Sequence, residues 1–300
     1  MKTILVLLSV GFLLSCASSK IPSGPKGFPV FYKEGHRGTR GLMPENTIPS
    51  MTKAIEVGAN VIEVDVYITK DGQVLIAHDP FISAAFSLLP GGREVPKDSA
   101  KYYVWHQMNY AEIRKIDVGM KYYAAYPQQQ KIPAYMPLLG ELIDSVEQYT
   151  AARKLPGTIY NIEIKANPKM DGVYQPVPAV LVKAVMDVVQ SKNIGNRFYI
   201  QSFDIRQLQE TRKQYPGVTI GFLTGDKTLS LEQNLKAIGF VPDIYSPHYG
   251  LVTKETVETC KKHGMKLVPW TVNTAAEIKT LVDLGVNGII TDYPNLLSGY

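Results

Sequence analysis

Residues 34–47 read E-G-H-R-G-T-R-G-L-M-P-E-N-T and residues 61–80 read V-I-E-V-D-V-Y-I-T-K-D-G-Q-V-L-I-A-H-D-P, with an amphipathic run between them. The β-branched residues of V-I-E-V-D-V mark a strand. A strand sends residues i and i+2 to one face, so Glu63 and Asp65 point the same way. Two anions side by side in an apolar strand repel, and burying them is costly unless a cation compensates. Mg²⁺ or Ca²⁺ suits that role, because hard cations take carboxylate oxygens. Taken alone, the pattern fits an edge strand with wet carboxylates at least as well, since strands with one solvated face alternate in the same way.

The neighbours of this pair add chemistry. His36 follows the apolar run V30-F31-Y32, and His78 follows V74-L75-I76-A77. Each histidine stands where a strand ends and a loop begins, the position at which parallel α/β folds place their reactive groups. Histidine titrates near neutral pH, so a pair flanking a phosphate can serve as general base and general acid. Arg37 adds a planar donor suited to phosphate oxygens.

Downstream of an irregular stretch, strand and helix patterns alternate to the end of the chain. Strands are predicted at 158–165, 197–201, 218–223, 243–246, 266–270 and 288–291, and helices at 139–149, 178–189, 205–214, 231–238, 254–263 and 275–284. With 30–35 and 60–69 this makes eight strands, the pattern of an α/β protein and specifically of a (β/α)8 TIM barrel closing strand eight on strand one. Residues 81–137 break the rhythm. They are irregular and aromatic (Tyr102, Tyr103, Trp105, Tyr110, Tyr122, Tyr123, Tyr126, Tyr135) and read as an insertion after the second strand region, either shaping a substrate pocket over the mouth or capping the barrel.

The blocks H-R-G at 36–38, P-E-N-T at 44–47, E-x-D at 63–65 and H-D-P at 78–80 closely resemble those of the glycerophosphodiester phosphodiesterases. The resemblance continues through N-I-E-I-K at 161–165, Q-S-F-D at 201–204, V-P-W-T-V-N at 268–273 and G-I-I-T-D-Y-P at 288–294, in order and over nearly all of the chain beyond its first segment. Glu163 and Lys165 share a strand face, and a barrel lets Glu163 meet Glu63 and Asp65 at its mouth. Three carboxylates suit Ca²⁺ or Mg²⁺ better than Zn²⁺.

The resemblance implies that Glu163 completes a metal triad with Glu63 and Asp65, that Arg37 and Lys165 meet the phosphate, and that Gln201 and Trp270 line the site. It places Glu45 near metal or substrate; helix-start chemistry explains Glu45 and Asn46 equally well. Asp292 either orients a catalytic residue or caps the terminal turn. His106, His248 and His263 have no such motif context, although His248 ends a strand-like stretch. The implied reaction is metal-dependent hydrolysis of glycerophosphodiesters to sn-glycerol 3-phosphate and an alcohol, with His36 and His78 exchanging the protons. A related activity on sphingolipid or phosphoinositide head groups, or a non-catalytic lipid-anchored binding role, are the alternatives.

The N-terminus carries a further expectation. Lys2 precedes an apolar run over 4–14 that is too short to span a bilayer comfortably but fits a secretory signal. L13-L14-S15-C16 resembles the lipobox of bacterial lipoproteins, in which the cysteine is lipidated and becomes the mature N-terminus. Residues 1–16 thus read as a signal peptide, 17–28 as a tether to the membrane, and 29–300 as the barrel of an exported cell-envelope lipoprotein. Cys260 is then the second of two cysteines and reads as a small packed residue. The chain has 300 residues, is 45% hydrophobic, and carries a net charge of +5 with dispersed lysines and arginines, so composition offers no nucleic-acid stripe. A modest positive field helps to draw in an anionic diester.

Overall fold

Runs of Val, Ile and aromatic residues form the staves of the barrel, and helices with one apolar face pack around them. The computed structural model describes residues 27–300; the expected signal segment, Cys16 as the expected lipid site and most of the expected tether lie outside the described residues. In chain order the elements are β1 (Tyr32–Gly35), α1 (Ile48–Glu56), β2 (Val61–Ile68), β3 (Val74–Ile76), β4 (Leu88–Leu89), β5 (Arg93–Glu94), α2 (Tyr110–Ile113), α3 (Leu139–Ala152), β6 (Ile159–Ile164) and α4 (Pro178–Ser191). They continue as β7 (Phe198–Ser202), α5 (Ile205–Gln214), β8 (Ile220–Thr224), α6 (Leu231–Ile238), β9 (Ile244–Pro247), α7 (Lys254–His263), β10 (Lys266–Leu267), α8 (Ala275–Leu284) and β11 (Gly288–Thr291).

The parallel strands run in the order β10-β9-β8-β7-β6-β2-β1-β11, eight staves among the described residues. This is the TIM barrel expected, with β11 paired to β1. The remaining seam joins β10 to β11. Pro269, which has no N–H, stops β10 early, yet Asn287 N donates to Leu267 O at 2.8 Å and Ile290 N to Pro269 O at 3.0 Å. The expected strand over 266–270 is therefore shorter as a ladder, while its backbone still bridges the gap.

Aliphatic residues such as Ile62, Val64, Ile162 and Ile200 face the helices and form the largest core cluster with α1, α3 and α4. Each such buried side chain contributes about 1.5–3 kcal/mol. Tyr32, Val61, Ile159, Tyr199 and Ile290 fill the barrel itself. Among the described residues no helix is long and apolar enough to cross a membrane. Cys260 is buried in the second helix-facing cluster, as its sequence context suggested, and burial pushes its thiol up to about 12.

One strand lies outside the alternation. After β2 overshoots the barrel mouth, a turn over 69–73 sends the chain back as β3, antiparallel to β2 with Val66 opposite Ile76. Ala77 N then donates to Asp65 O at 3.0 Å, which returns His78 to the level of the carboxylates. His78 thus follows an antiparallel return strand rather than a stave. The segment from residue 81 onward has a core of its own, built from Ile82, Leu89, Trp105, Ile113, Val118 and neighbours against Tyr67 and Leu75.

Candidate active site

Register alone assembles the anionic cluster. In the β2–β6 ladder Asp65 lies opposite Glu163, and Glu63 lies opposite Asn161 one layer below. One oxygen from each of Glu63, Asp65 and Glu163 falls within 4.8 Å of the others, and all three side chains are buried. Burial, then Asp65 and Glu163, pushes Glu63 well above the carboxylate range. Glu163 is also raised, by burial opposed by Lys165. Asp65 goes the other way, because Lys165, His78 and Arg37 together outweigh its burial. Glu63 Oε1 and Asp65 Oδ1 are buried without a hydrogen-bond donor among the described residues. Buried polar atoms are rarely left so. Buried carboxylate oxygens gathered this closely fit a hard divalent cation.

Basic groups frame this cluster. Lys165 Nζ stands 2.7 Å from Glu163 and 3.5 Å from Asp65 Oδ1. Arg37 Nη1 donates to Glu45 at 2.7 Å, its Nε lies 3.3 Å from Asp65 Oδ2, and its backbone N–H donates to Glu63 Oε2 at 2.7 Å. That last bond needs an unusual backbone. Arg37 has φ 50, in the left-handed region that non-glycine residues rarely enter. Gly38 follows at φ 82, and a Cβ there would stand 2.6 Å from the Ser50 carbonyl carbon. The H-R-G block is thus a turn that aims an amide at a carboxylate.

The two histidines are held differently. His36, mostly buried, places Nδ1 2.7 Å from Asp292 Oδ1. Burial lowers its pKa, partly offset by Asp292. Asp292 is itself held well below the carboxylate range, since His36, Arg40 and Asn273 outweigh its burial. An ionised carboxylate can only accept, so Nδ1 carries the proton and Nε2 has the lone pair. His78 is more exposed and pairs with the adjacent Asp79 at 3.0 Å. Trp105 of the inserted segment donates to the Asp79 carbonyl at 2.7 Å.

Both rings line one cavity of about 190 Å³ together with Arg37, Glu63, Glu163, Lys165 and Gln201. Its apolar wall is Phe203, Leu223, Trp270 and Ile290. Trp270 is edge-on to Phe203 at 5.2 Å and to His248 at 5.4 Å, and its indole N–H donates to Ser246 O. The cavity is acidic at its floor, basic at its sides and aromatic at one rim.

The family profile that matches this chain, over residues 36–296, is that of the glycerophosphoryl diester phosphodiesterases. The chain belongs to this family. As a member it is an enzyme, a phosphoric diester hydrolase. It is 30% identical to a glycerophosphodiester phosphodiesterase of Caldanaerobacter subterraneus, over 87% of this chain and 94% of the relative. It is also 30% identical to one of Bacillus subtilis, over 97% and 94%. A solved structure from Silicibacter pomeroyi superposes with TM-score 0.77 at 29% identity, covering 90% of this chain and 93% of the other. A phosphodiesterase of Oleispira antarctica, solved with the product sn-glycerol-3-phosphate, shares the fold at TM-score 0.70 and 21% identity, over 89% and 94%.

In this phosphodiesterase Glu45 and Asn46 have partners that their sequence neighbours do not show, while Gln201 and Trp270 line the cavity. Both Glu45 oxygens are taken, one by Arg37 and one by Arg40 at 2.7 Å each, so the carboxylate braces arginines instead of facing the triad. Neither Glu45 nor Asn46 starts the helix. Thr47 caps α1 by accepting from Ser50 N, while Asn46, at φ 57, donates to Asp65 Oδ2 at 2.8 Å. Gln201, opposite Glu163, is buried at the cavity with Oε1 lacking a donor among the described residues. Arg40, Asn273 and Phe203 are residues that the motifs did not single out, and Tyr126 was named only as one of the aromatic residues of the insertion. Asn273 and Phe203 stood inside the V-P-W-T-V-N and Q-S-F-D blocks, while nothing local set Tyr126 apart from the other tyrosines of its segment.

Proposed function

We propose that this enzyme hydrolyses glycerophosphodiesters to sn-glycerol 3-phosphate and an alcohol, using His36 and His78 as the proton-transfer pair and Glu63, Asp65 and Glu163 to hold one Ca²⁺ or Mg²⁺. The observation that carries this reading is the cluster of Glu63, Asp65 and Glu163 at a cavity that Glu63, Glu163, His36, His78, Arg37, Arg40 and Lys165 line together. When bound, the cation supplies charge to a nonbridging phosphate oxygen. Lys165, on the same side, offsets negative charge as the ester bond breaks. Arg37 is largely committed to Glu45 and Asp65, so its main work is to keep that carboxylate ionised and aligned.

His36 rests neutral, with Nδ1 tied to Asp292, and takes on Nε2 the proton of the attacking hydroxyl, which belongs either to water or to a neighbouring substrate hydroxyl whose cyclic phosphate water then opens. His78, nearer the solvent edge, gives a proton to the departing alcohol. Phe203 and Trp270 offer an apolar wall to the carbon skeleton of the substrate. A cavity of this size suits a small polar head group, as in the relative whose bound product is sn-glycerol-3-phosphate. Purified protein is expected to release glycerol 3-phosphate from glycerophosphocholine at least about tenfold more efficiently than it cleaves sphingomyelin, measured as kcat/KM. Equal or reversed efficiencies would move the assignment to sphingolipid head groups.

The same proposal places the enzyme in the cell envelope through a lipid on Cys16. Cys16→Ser is then expected to leave kcat unchanged and to shift the protein from the membrane fraction to the soluble one. Unchanged membrane association would exclude that anchor.

A further inference from the structure

Asp292 has more partners than holding His36 requires. Its Oδ1 faces His36 Nδ1, while Oδ2 accepts from the Asn273 amide at 2.7 Å and from the Tyr126 hydroxyl at 2.9 Å. Asn273 belongs to the barrel loop after β10, and its carbonyl oxygen also accepts from Asp292 N at 3.0 Å. Tyr126 comes from the inserted segment, 166 residues away in sequence.

That segment is tied down around Tyr126. The Arg40 guanidinium lies 4.5 Å from the centre of the Tyr126 ring, and the Tyr123 ring packs against it at 5.4 Å, backed by Phe86. Gln129 Nε2 donates to Arg40 O at 2.7 Å, and Gln130 N donates to Leu42 O at 2.9 Å. These bonds fasten the insertion to the loop that leaves β1 through His36. Tyr126 is the point where it reaches the groups that hold His36.

We propose that Tyr126 is a positioning residue for His36: its hydroxyl, with Asn273, fixes the rotation of the Asp292 carboxylate and so the tautomer and orientation of the imidazole. The inference rests on the reading of His36 as a proton-transfer group. An aspartate χ2 is a broad, weakly restrained torsion, so one anchored oxygen leaves the other free to swing. Two donors on Oδ2 remove that freedom and leave Oδ1 for Nδ1–H. Burial raises the Tyr126 phenol, which therefore stays protonated and remains a donor. The insertion in this account is part of the site, and the Tyr126 hydroxyl is its hydrogen bond to the partner of His36.

Tyr126→Phe keeps the ring, its contact with Arg40 and its packing on Tyr123, and removes only the donor. With glycerophosphocholine, kcat is expected to fall about tenfold with KM changed less than about twofold, the pattern of a misoriented reacting group. The downfield proton resonance of the His36 Nδ1–H, identified by its loss in His36→Ala, should move or broaden in Tyr126→Phe. In an Asp292→Asn background the same change should cost nothing further, because its effect passes through that carboxylate. Wild-type kcat in Tyr126→Phe, an unmoved resonance, or an equal further loss in the Asp292→Asn background would overturn the positioning role. His36→Ala separates the two ideas. If it retains activity, the proton-transfer reading fails and this inference with it; if it is inactive while Tyr126→Phe behaves as wild type, only this inference fails.

Discussion

Asp292→Asn is expected to lower kcat on the order of 10³-fold while leaving the fold intact, because it changes one atom of a side chain that holds His36. The wild-type carboxylate accepts the Nδ1 proton at 2.7 Å and leaves Nε2 unprotonated. An asparagine amide can turn its NH₂ toward the ring, and the imidazole then adopts the other tautomer with no lone pair for the reacting hydroxyl. The pH profile carries the sign. Burial lowers the His36 pKa below its ordinary 6.5, and Asp292 opposes that shift. A base works when deprotonated, so the wild-type rate should fall only as pH drops through a value below 6.5. Asp292→Asn removes the opposing charge, so its acid limb should lie lower still, beneath a much reduced plateau. A wild-type limb above 6.5, or a variant limb displaced upward, would remove His36 from the role of base.

The staves and the floor of the site were legible from sequence because both follow from period-two geometry. Glu63 and Asp65 had to share a face, Glu163 and Lys165 likewise, and register then put Asp65 opposite Glu163. What local pattern could not show were contacts made across the chain by polar side chains. Glu45 looked like a ligand or a helix-start residue because its neighbours in sequence are Pro44 and Asn46; its partners are Arg37 and Arg40, reachable only once the turn at Arg37 and Gly38 is folded. Asp292 allowed two roles until His36 was seen beside it, 256 residues away.

His78 shows a subtler limit. An apolar run ending in histidine reads as a strand end, and V74-L75-I76 is indeed a strand, but it turns back on β2 instead of running parallel to it. Hydrophobic alternation does not encode strand direction; the short turn over 69–73 does, since a parallel return would need a crossover of a dozen residues or more. The same hairpin explains why the insertion sits where it does. The chain re-enters the mouth at His78, and Trp105 and Tyr126 then pack back toward groups on either side of the cavity.

Glu63→Gln should separate the chemical use of the triad from its structural cost. Chelation of divalent cations is expected to stop release of glycerol 3-phosphate, with recovery on adding Ca²⁺ or Mg²⁺, and Glu63→Gln should lose at least about 10²-fold in kcat/KM even with the cation present. In the chelated protein the same substitution should stabilise. Glu45, Glu63, Asp65 and Glu163 are four buried carboxylates facing three cations, Arg37, Arg40 and Lys165. Glu63 has no ammonium or guanidinium bonded to it among the described residues, only the Arg37 amide, which a glutamine oxygen can also accept. Its folded pKa is raised above the ordinary 4.5, so ionised Glu63 weakens the fold. That cost is absent below the unfolded value and grows as pH rises toward the folded one. At neutral pH, Glu63→Gln should therefore raise the melting temperature of the chelated protein by about 2–4 °C per kcal/mol relieved, with relief of order 1 kcal/mol. The two proteins should converge below pH 4.5, where glutamate is protonated in both states. The rise in melting temperature on adding Ca²⁺ should shrink in the variant, because a weaker site stabilises the folded state less. A variant that melts below the chelated wild type at neutral pH would mean that the three carboxylates are compensated without a cation, and that the triad is a structural cluster.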